Sequence, residues 1–421
     1  MGTLAILREL DSTQRHTVAA SFLGWTLDAF DYFLLVMVMP AVAHEFHVDI
    51  KQVAVALFLT LAFRPLGALI FGRLADRFGR RRVLMVDVTL YSILGLACAF
   101  APSLLWLLVL RSLFGIAMGG EWGIGASLAM ESIPAKARGA VSGLLQEGYA
   151  VGYLIAAASY ALLFPWFSHF TWYGHPFGWR GMFLVGAVPA LLVFYIGGRV
   201  EESPAWKQGR ALEAKTLPGI GLKRGVMQYA GTFVFLVVLM TGFNAFSHGT
   251  QDLYPTFLQR DHGLSARLTG TIAIIYNIGA IAGGMIFGAL SERIGRKKAI
   301  IAAALLSLPI IPLYALAHSM AALATGAFLM QFMVQGAWGV VPAWLSELSP
   351  GPVRATFPGL AYQLGNLISS QNNELQSIAA EHFRTGYGPV LAATVAIVAV
   401  YLAIVAAFGR ESRGAELTTQ A

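Results

Sequence analysis

The sequence predicts an all-α integral membrane protein, with twelve transmembrane helices in two six-helix pseudo-symmetric bundles. Three observations support this fold class: the composition, a series of apolar runs of membrane-spanning length, and an internal repeat. The mean hydropathy of the chain is +0.65, and charged residues make up 12% of it. A soluble domain carries about 25% charged residues, so we expect this chain to lie in a membrane.

Apolar runs of about 20 residues, the length that crosses the hydrocarbon core as a helix, occur along the whole chain. The runs are 18–40, 53–72, 83–101, 104–130, 139–165, 180–199, 228–252, 268–290, 299–317, 320–346, 356–379 and 389–408. One long polar insert separates the sixth run from the seventh and is expected to be a cytoplasmic linker, residues 201–227. The chain then divides into an N-terminal bundle, 1–200, and a C-terminal bundle, 228–421.

The two predicted bundles repeat one another in sequence. The loop Gly72-Arg-Leu-Ala-Asp-Arg-Phe-Gly-Arg-Arg-Arg82 matches Gly288-Ala-Leu-Ser-Glu-Arg-Ile-Gly-Arg-Lys-Lys298, an offset of 288 minus 72, or 216 residues. The same offset carries Glu131 onto Glu347 and Arg138 onto Arg354. Parallel repeats of this kind are typical of transporters whose halves rock about a site near the middle of the bilayer.

Most of the 29 Lys and Arg residues fall in the termini, the linker and the loops on one side of the predicted membrane. Because cytoplasmic loops are enriched in Lys and Arg, we expect a multi-pass protein of the cell membrane, inner or plasma, with both termini cytoplasmic. The net charge of +7 is distributed over these short loops. The expected partner is therefore the lipid bilayer and not nucleic acid, and we expect a monomer.

A polar stretch at the end of the seventh run is the strongest sign of a functional site. Its polar side chains recur at helical spacing, i, i+3, i+4, i+7 and i+8, and so share one face; they are Asn244, Ser247, His248, Gln251 and Asp252. Polar and ionisable groups at membrane depth usually face a bundle interior or a water-filled cavity. Pro255 cannot donate a backbone hydrogen bond, so the helix is expected to kink or end there.

Arg64, in the second run, is a candidate for binding an anionic substrate. A guanidinium matches a carboxylate with two parallel hydrogen bonds and stays charged at any working pH. The alternative is a structural salt bridge to Asp28 or Asp31. Neutral donors and acceptors would contact the rest of the substrate, or else bond neighbouring helices to one another; they are Asn244, Ser247, Gln251, Gln363 and Asn366.

Several acids and one histidine are candidates for carrying a proton. His248 and Asp252 are four residues apart and can share one, although the pair could instead fix the kink. Asp28 and Asp31 lie one turn apart and would repel each other if both were ionised. Glu147 and Glu121 are further candidates.

The repeated basic loops and the fourth run are assigned to gating and structure. We expect Asp76 and Glu292 to pair with neighbouring arginines, including Arg80 and Arg296, and so to hold adjacent helices together. Arg111 precedes two glycines at four-residue spacing and is expected to belong to a helix-packing motif.

These motifs are similar to those of a known family. The paired Gly-x-x-x-Asp/Glu-Arg-x-Gly-Arg-Arg/Lys loops resemble the signature of the major facilitator superfamily, and Arg111-x-x-x-Gly115-x-x-x-Gly119 resembles its fourth-helix motif. More narrowly, Asn244-x-x-Ser247-His248-x-Thr250-Gln251-Asp252-x-x-x-Thr256 resembles the seventh-helix motif of fungal Jen-type lactate/pyruvate permeases, and Gln363-x-x-Asn366 their eleventh-helix pair. These permeases belong with the sialate:proton symporters in one proton-coupled branch. The motif Gly24-Trp-x-x-Asp28-x-x-Asp31 and Arg64 also resemble features of that branch.

The resemblance implies proton-coupled symport of a small monocarboxylate, such as lactate or pyruvate, by alternating access. It implies no cofactor other than the proton gradient and no metal. The sequence contains no His-Glu-x-x-His, no Gly-x-Ser-x-Gly and a single cysteine, so an enzyme is not expected. The alternatives are a sialic acid or aromatic-acid proton symporter and a nutrient sensor built on a transporter fold.

Overall fold

The computed structural model describes residues 8–172, 174–216 and 227–417, and helices dominate them. The helices in the first part of the chain are α1 Ser12–Glu45, α2 Ile50–Phe78, α3 Arg80–Cys98, α4 Leu104–Met118, α5 Glu121–Ser132, α6 Arg138–Gln146, α7 Gly148–Phe167, α8 Gly178–Val185, α9 Ala190–Arg199 and α10 Pro204–Thr216. Those in the second part are α11 Ala230–Gln251, α12 Tyr254–Arg260, α13 Ala266–Ile294, α14 Arg296–Leu306, α15 Ile311–Ala315, α16 Met320–Trp338, α17 Val341–Leu348, α18 Thr356–Ser369, α19 Asn372–Phe383 and α20 Tyr387–Phe408. Three short 3-10 turns, Ala135–Ala137, Leu308–Ile310 and Gly351–Val353, and one two-stranded antiparallel ribbon, β1 Thr171–Trp172 with β2 His175–Pro176, complete the described elements.

The helices fit a membrane. In the described residues, 10 helical stretches are long and apolar enough to cross a bilayer. The predicted third and eleventh runs are also helical, but α3 begins with three arginines and the eleventh run is divided into α18 and α19. Large apolar side chains face outward, as lipid contact requires; Phe194 and Phe408 are 79% and 84% exposed.

Several predicted runs are two helices in series and not one. Breaks separate α4 from α5, α6 from α7, α11 from α12 and α16 from α17. The expected break near Pro255 is confirmed: α11 ends at Gln251, and Pro255 lies in the first turn of α12, where no backbone N–H is needed.

Glycines bring α2 and α4 into backbone contact. A Cβ at Gly115 would overlap the carbonyl of Thr60, and a Cβ at Gly119 would overlap the carbonyl of Arg64. The facing Gly67 approaches the carbonyl of Ile116 in the same way. The spacing after Arg111 therefore does serve helix packing, and this packing holds Arg64 in place.

The end of the molecule at which α1 begins and α20 ends is called the inner end. There the sequence repeat becomes a pair of matching ion-pair networks. Arg80 Nε and Nη2 each lie 3.1 Å from a carboxylate oxygen of Glu131. The repeat-related Arg296 binds Glu347 with the same two atoms, at 3.1 and 2.9 Å. Such two-pronged, charge-assisted contacts are strong and orient both partners.

Asp76 and Glu292 do more than the sequence predicts. Each pairs with the expected arginine, Asp76 with Arg80 at 3.2 Å and Glu292 with Arg296 at 2.6 Å. Each also accepts a backbone hydrogen bond from the far half of the chain, Asp76 from Ala355 at 2.9 Å and Glu292 from Gly139 at 2.5 Å. A carboxylate is favoured at the start of a helix, where backbone N–H groups lack partners.

These contacts close the inner end. Thr356 adds a hydroxyl and a backbone donor to Asp76, and Ser127 donates to the carbonyl of Arg354 at 2.9 Å. Part of the predicted linker joins them: α10 lies within residues 201–227, and Trp206 donates to the carbonyl of Asp76 at 2.9 Å. Residues 217–226 of that linker lie outside the described residues, and the division into two bundles stays a prediction.

We predict that Asp76→Asn weakens the closed inner end. Hydrogen bonds to a charged group contribute about 1.5–3 kcal/mol, and the neutral amide loses the attraction to Arg80 and to the start of α18. The unfolding temperature in detergent should fall, and Glu292→Gln should behave alike because the repeat places it equivalently. Glu374→Gln, at an exposed position of α19, is the matched control. An Asp76→Asn variant as stable as the control would contradict this interpretation.

Candidate binding site

A cavity of about 90 Å³ lies between the two parts of the chain. Helices α1, α2, α6 and α7 line one side, and α11, α16 and α18 line the other. Five of its residues are aromatic: Trp25, Tyr32, Tyr149, Trp338 and Tyr362. Its ionisable residues are Asp28, Arg64, His248 and Asp252, and its neutral polar residues are Gln146, Asn244, Ser247, Gln251, Gln335 and Asn366. A larger groove of about 730 Å³ at the inner end, beside residues 408–415, is open to the surface and lies away from these groups.

Arg64 and Asp28 form an ion pair in this cavity. Arg64 Nη2 lies 2.6 Å from Asp28 Oδ1, and the two residues are 5% and 1% exposed. Arg64 Nε and Asp28 Oδ2 have no hydrogen-bond partner among the described residues. The ring of Tyr32 lies 5.9 Å from the guanidinium carbon, within cation–π range. The predicted salt bridge therefore exists, and both partners keep bonding capacity for a ligand.

His248 and Asp252 lie at the more exposed part of the cavity. His248 Nδ1 and Asp252 Oδ2 are 3.1 Å apart, and their side chains are 35% and 32% exposed. Asn373 at the start of α19 donates to the same Asp252 oxygen at 2.7 Å. Asp252 follows the last residue of α11, so the pair lies at the break between α11 and α12. The pair is thus placed both to exchange protons with water and to fix the break.

The amide side chains of α11 bond to α16. Gln251 Nε2 donates to Gln331 Oε1 at 2.9 Å and to Ser247 Oγ at 3.1 Å. Gln335 Nε2 reaches the same serine oxygen at 3.4 Å. Asn244 donates to its own helix, to the carbonyl of Met240 at 2.8 Å. The side-chain amide nitrogen of Gln251, a residue of the cavity lining, is therefore occupied within the protein.

Four of the residues predicted to bind the substrate or the proton do not line the cavity: Asp31, Glu121, Glu147 and Gln363. Asp31 is three residues after Asp28, about 60° around the helix, and lies against Gly186 between α8 and α9. Glu147 is one residue after Gln146, about 100° around, and lies against Gly284 of α13. Gln363 is buried elsewhere on α18, and Arg111 is buried with its guanidinium 4.1 Å from the Phe114 ring centre.

An aromatic cluster forms the inner boundary of the cavity. Trp25 packs against Trp122 at 6.4 Å and against Tyr362 at 6.2 Å between ring centres. Tyr362 also packs on Trp122, at 4.8 Å, and on Trp338, at 5.7 Å. The cluster joins both parts of the chain, since Trp25 and Trp122 come from the first and the other two from the second. We call these four residues the aromatic floor.

The lining contains side chains that the sequence did not indicate as site residues. Gln335 and the tyrosines are the main ones, since aromatic residues in apolar runs ordinarily serve packing. One signal was present: Tyr32 follows Asp28 by four residues and so shares its face. In the described residues no group of three or more His, Cys, Asp or Glu could hold a metal ion.

Known proteins agree with this architecture. A sequence profile described as Major Facilitator Superfamily matches residues 21–251, and one described as Sugar (and other) transporter matches residues 227–413. The carboxylic acid transporter protein homolog of Saccharomyces cerevisiae is 32% identical over 86% of this chain, which spans 61% of that protein's length. The sialic acid transporter NanX of Escherichia coli is 28% identical, over 85% of each chain.

A solved structure shows the same fold. The proton:xylose symporter XylE superposes with a TM-score of 0.73 at 18% sequence identity, over 96% of this chain and 97% of that one. The profile that matches residues 21–251 identifies the family, and the solved structure shows the same fold. The protein is a multi-pass membrane protein of a transporter family and not an enzyme: it belongs to the major facilitator superfamily.

Proposed function

We propose that this protein is a proton-coupled symporter that moves a small monocarboxylate, of the lactate or pyruvate kind, across the cell membrane by alternating access. The observation that carries the proposal is the Arg64–Asp28 ion pair in the central cavity. Among the described residues that line the cavity, Arg64 is the permanent cation. The yeast relative named for carboxylic acid transport supports the same substrate class.

The ion pair supplies a coupling mechanism. A buried arginine needs an anion, since an unpaired charge in a membrane interior is costly. When a proton neutralises Asp28, Arg64 is left for the substrate carboxylate, which can accept from both Nη2 and the unoccupied Nε. Loss of the substrate inside lets Asp28 give up its proton and bind Arg64 again. Proton and substrate then bind together or not at all.

Charge balance favours the change between outward-open and inward-open states in both the empty and the loaded carrier. The empty carrier holds Arg64 with ionised Asp28, and the loaded carrier holds Arg64 with the substrate anion and neutral Asp28. The net charge of the site is the same in the two states, so neither has to move an uncompensated charge through the membrane. We propose that His248 and Asp252, at the exposed part of the cavity, first take the proton from the outer solution. Asp31 and Glu147 are secondary proton candidates because they face neighbouring helices.

We propose that the other residues of the cavity select the substrate by its size and polarity. Its volume of about 90 Å³ is far below the roughly 300–1,000 Å³ of drug-sized ligand sites. Asn244, Ser247, Gln251 and Asn366 offer hydrogen bonds that a hydroxy or keto group can use. Gln363, buried outside the lining, is the weakest member of the predicted substrate set.

One observation favours a second candidate function. Five aromatic side chains line the cavity, and an aromatic carboxylic acid would stack on them. Symport of an aromatic acid is therefore the alternative, with sialic acid supported by the name of the second relative. The carboxylate would bind Arg64 in each case, so the candidate substrates differ only in the part of the molecule that the rest of the cavity contacts.

The inner networks are proposed to be the inner gate. Asp76, Arg80, Glu292 and Arg296 would release the facing helix starts when the two halves separate at that end. The natural cysteine is first removed by Cys98→Ser, and a new one is introduced by Ala126→Cys on the inner side of the aromatic floor. This cysteine should react faster with a thiol reagent when Asp76→Asn is also present. Equal reaction rates would contradict the gate.

We also propose a monomer of two bundles joined by the 201–227 linker, with the inner end and both termini in the cytoplasm. A C-terminal epitope should then be shielded from antibody on intact cells and exposed after permeabilisation. Staining of intact cells would contradict this orientation.

The proposed function predicts gradient-driven accumulation. In proteoliposomes with an acidic exterior, labelled lactate or pyruvate should accumulate above equilibrium, and an uncoupler should abolish the effect. Equal uptake with and without the pH gradient would show a facilitator and contradict coupling. Counterflow with benzoate or sialate but not with lactate or pyruvate would replace the substrate class by one of the alternatives.

Arg64→Lys should weaken substrate binding without removing the charge. Lysine keeps the cation but loses the planar fork that grips a carboxylate, so we expect apparent affinity to fall about tenfold, or ~1.4 kcal/mol. The measurement is the concentration dependence of counterflow. Arg260→Lys, an exposed arginine at the end of α12, is the matched control. Equal affinities in the two variants would exclude direct contact between Arg64 and the substrate.

A further inference from the structure

A second, smaller cavity lies on the inner side of the aromatic floor. It measures about 10 Å³, and six of its lining residues are Ser21, Trp25, Glu121, Trp122, Gly125 and Pro342. Trp25 belongs to the lining of both chambers and separates them. A space of about 10–15 Å³ is enough for one water molecule. We call it the inner chamber.

Glu121 is the ionisable residue of the inner chamber. It is 0% exposed, and neither carboxyl oxygen has a hydrogen-bond partner among the described residues. Ser21 Oγ and Trp25 Nε1, which also line the chamber, lack partners among those residues as well. A buried carboxylate without a partner is costly, whereas the neutral acid is tolerated. Glu121 therefore holds a proton while the inner end is closed.

The position of Glu121 relates it to the ion pair. Its Oε1 packs against Gly24, at a point where any side chain on residue 24 would overlap it. Gly24 lies four residues before Asp28 on α1, about 6 Å along the helix axis and on the same face. Because α1 begins at the inner end, Glu121 lies one helical turn inward of Asp28. One water molecule spans such a gap with two ordinary hydrogen bonds.

The titratable groups that interact electrostatically with Glu121 come from three helices: Asp28 from α1, Arg64 from α2, and Asp87 and Tyr91 from α3. Asp87 is also fully buried, and its carboxyl oxygens have no hydrogen-bond partner in the described part of the chain, but it packs beside Gly120 and does not line the inner chamber. The chamber closes on the other side against Pro342 of α17. Separation of the two halves at the inner end would thus expose Glu121 to the inner solution.

We propose that Glu121 is the inner proton-release site of the carrier, relaying through water the proton that Asp28 takes up with the substrate. The inference rests on the proposed symport. When the inner end opens, Glu121 gives its proton to the inner solution. After the substrate has left, Asp28 passes its proton through water to the Glu121 carboxylate and binds Arg64 again. One proton enters at Asp28 and one leaves from Glu121, and the starting state is restored.

The test compares exchange with net transport in proteoliposomes. Glu121→Gln has the same shape as the neutral acid but cannot release a proton. Substrate exchange at equilibrium, which needs no deprotonation, should persist, while accumulation driven by a pH gradient should fall at least tenfold. Glu121→Asp keeps an acid and should recover part of the accumulation. Glu374→Gln is the control for removal of an acid, and unfolding temperatures check the fold of each variant.

The outcomes separate this inference from the proposed function. Wild-type protein that does not accumulate substrate would contradict symport itself. Wild type that accumulates, together with Glu121→Gln that accumulates equally, would overturn only the relay. Loss of accumulation in Asp87→Asn but not in Glu121→Gln would also overturn the relay, because the proton-release site would then be Asp87 on α3. A folded Glu121→Gln that loses exchange as well as accumulation would assign the residue to substrate binding and overturn the release role.

Discussion

The ion pair between Arg64 and Asp28 is the constraint on which the rest of the site depends. Both charges are buried in the middle of a membrane protein, where neither is stable alone. The free-energy cost of burying the two charges is lowest when Arg64 and Asp28 remain paired, or when another anion binds Arg64 and a proton neutralises Asp28. In the proposed cycle a substrate carboxylate and a proton provide that alternative, so the charge that stabilises the empty protein would also select an anionic substrate.

The sequence repeat places matching contacts between the two halves at the inner end. Each half contributes a carboxylate to the start of a helix in the other half, and each also contributes a cross-half ion pair: Arg354 with Glu131 at 3.7 Å and Arg138 with Glu347 at 3.8 Å. Many polar contacts of modest strength hold this end closed. Such contacts exchange readily with water, unlike an apolar interface, and a rocking motion can break and remake them.

Sequence patterns predicted what depends on local geometry. The 216-residue offset between the repeated loops paired Arg80 with Arg296 and Glu131 with Glu347, and helical spacing placed five polar residues of α11 on one face. Contacts between distant helices were not predictable in this way. Asp31 and Glu147 lie about 60° and 100° around from the cavity-lining Asp28 and Gln146, so they contact neighbouring helices, and the aromatic floor exists only once α1, α5, α16 and α18 meet. The backbone hydrogen bonds of Asp76 and Glu292 likewise depend on how the halves pack.

In the proposed cycle the substrate carboxylate replaces Asp28 on Arg64 while Asp28 takes up a proton. Calorimetric titration of the detergent-solubilised protein with lactate or pyruvate, repeated in buffers of different ionisation enthalpy, counts the protons taken up on binding, because each proton drawn from the buffer adds its ionisation heat. We expect about one proton to be taken up per substrate bound near neutral pH, and none in Asp28→Asn. Binding without proton uptake in the wild type, or uptake unchanged in Asp28→Asn, would contradict it.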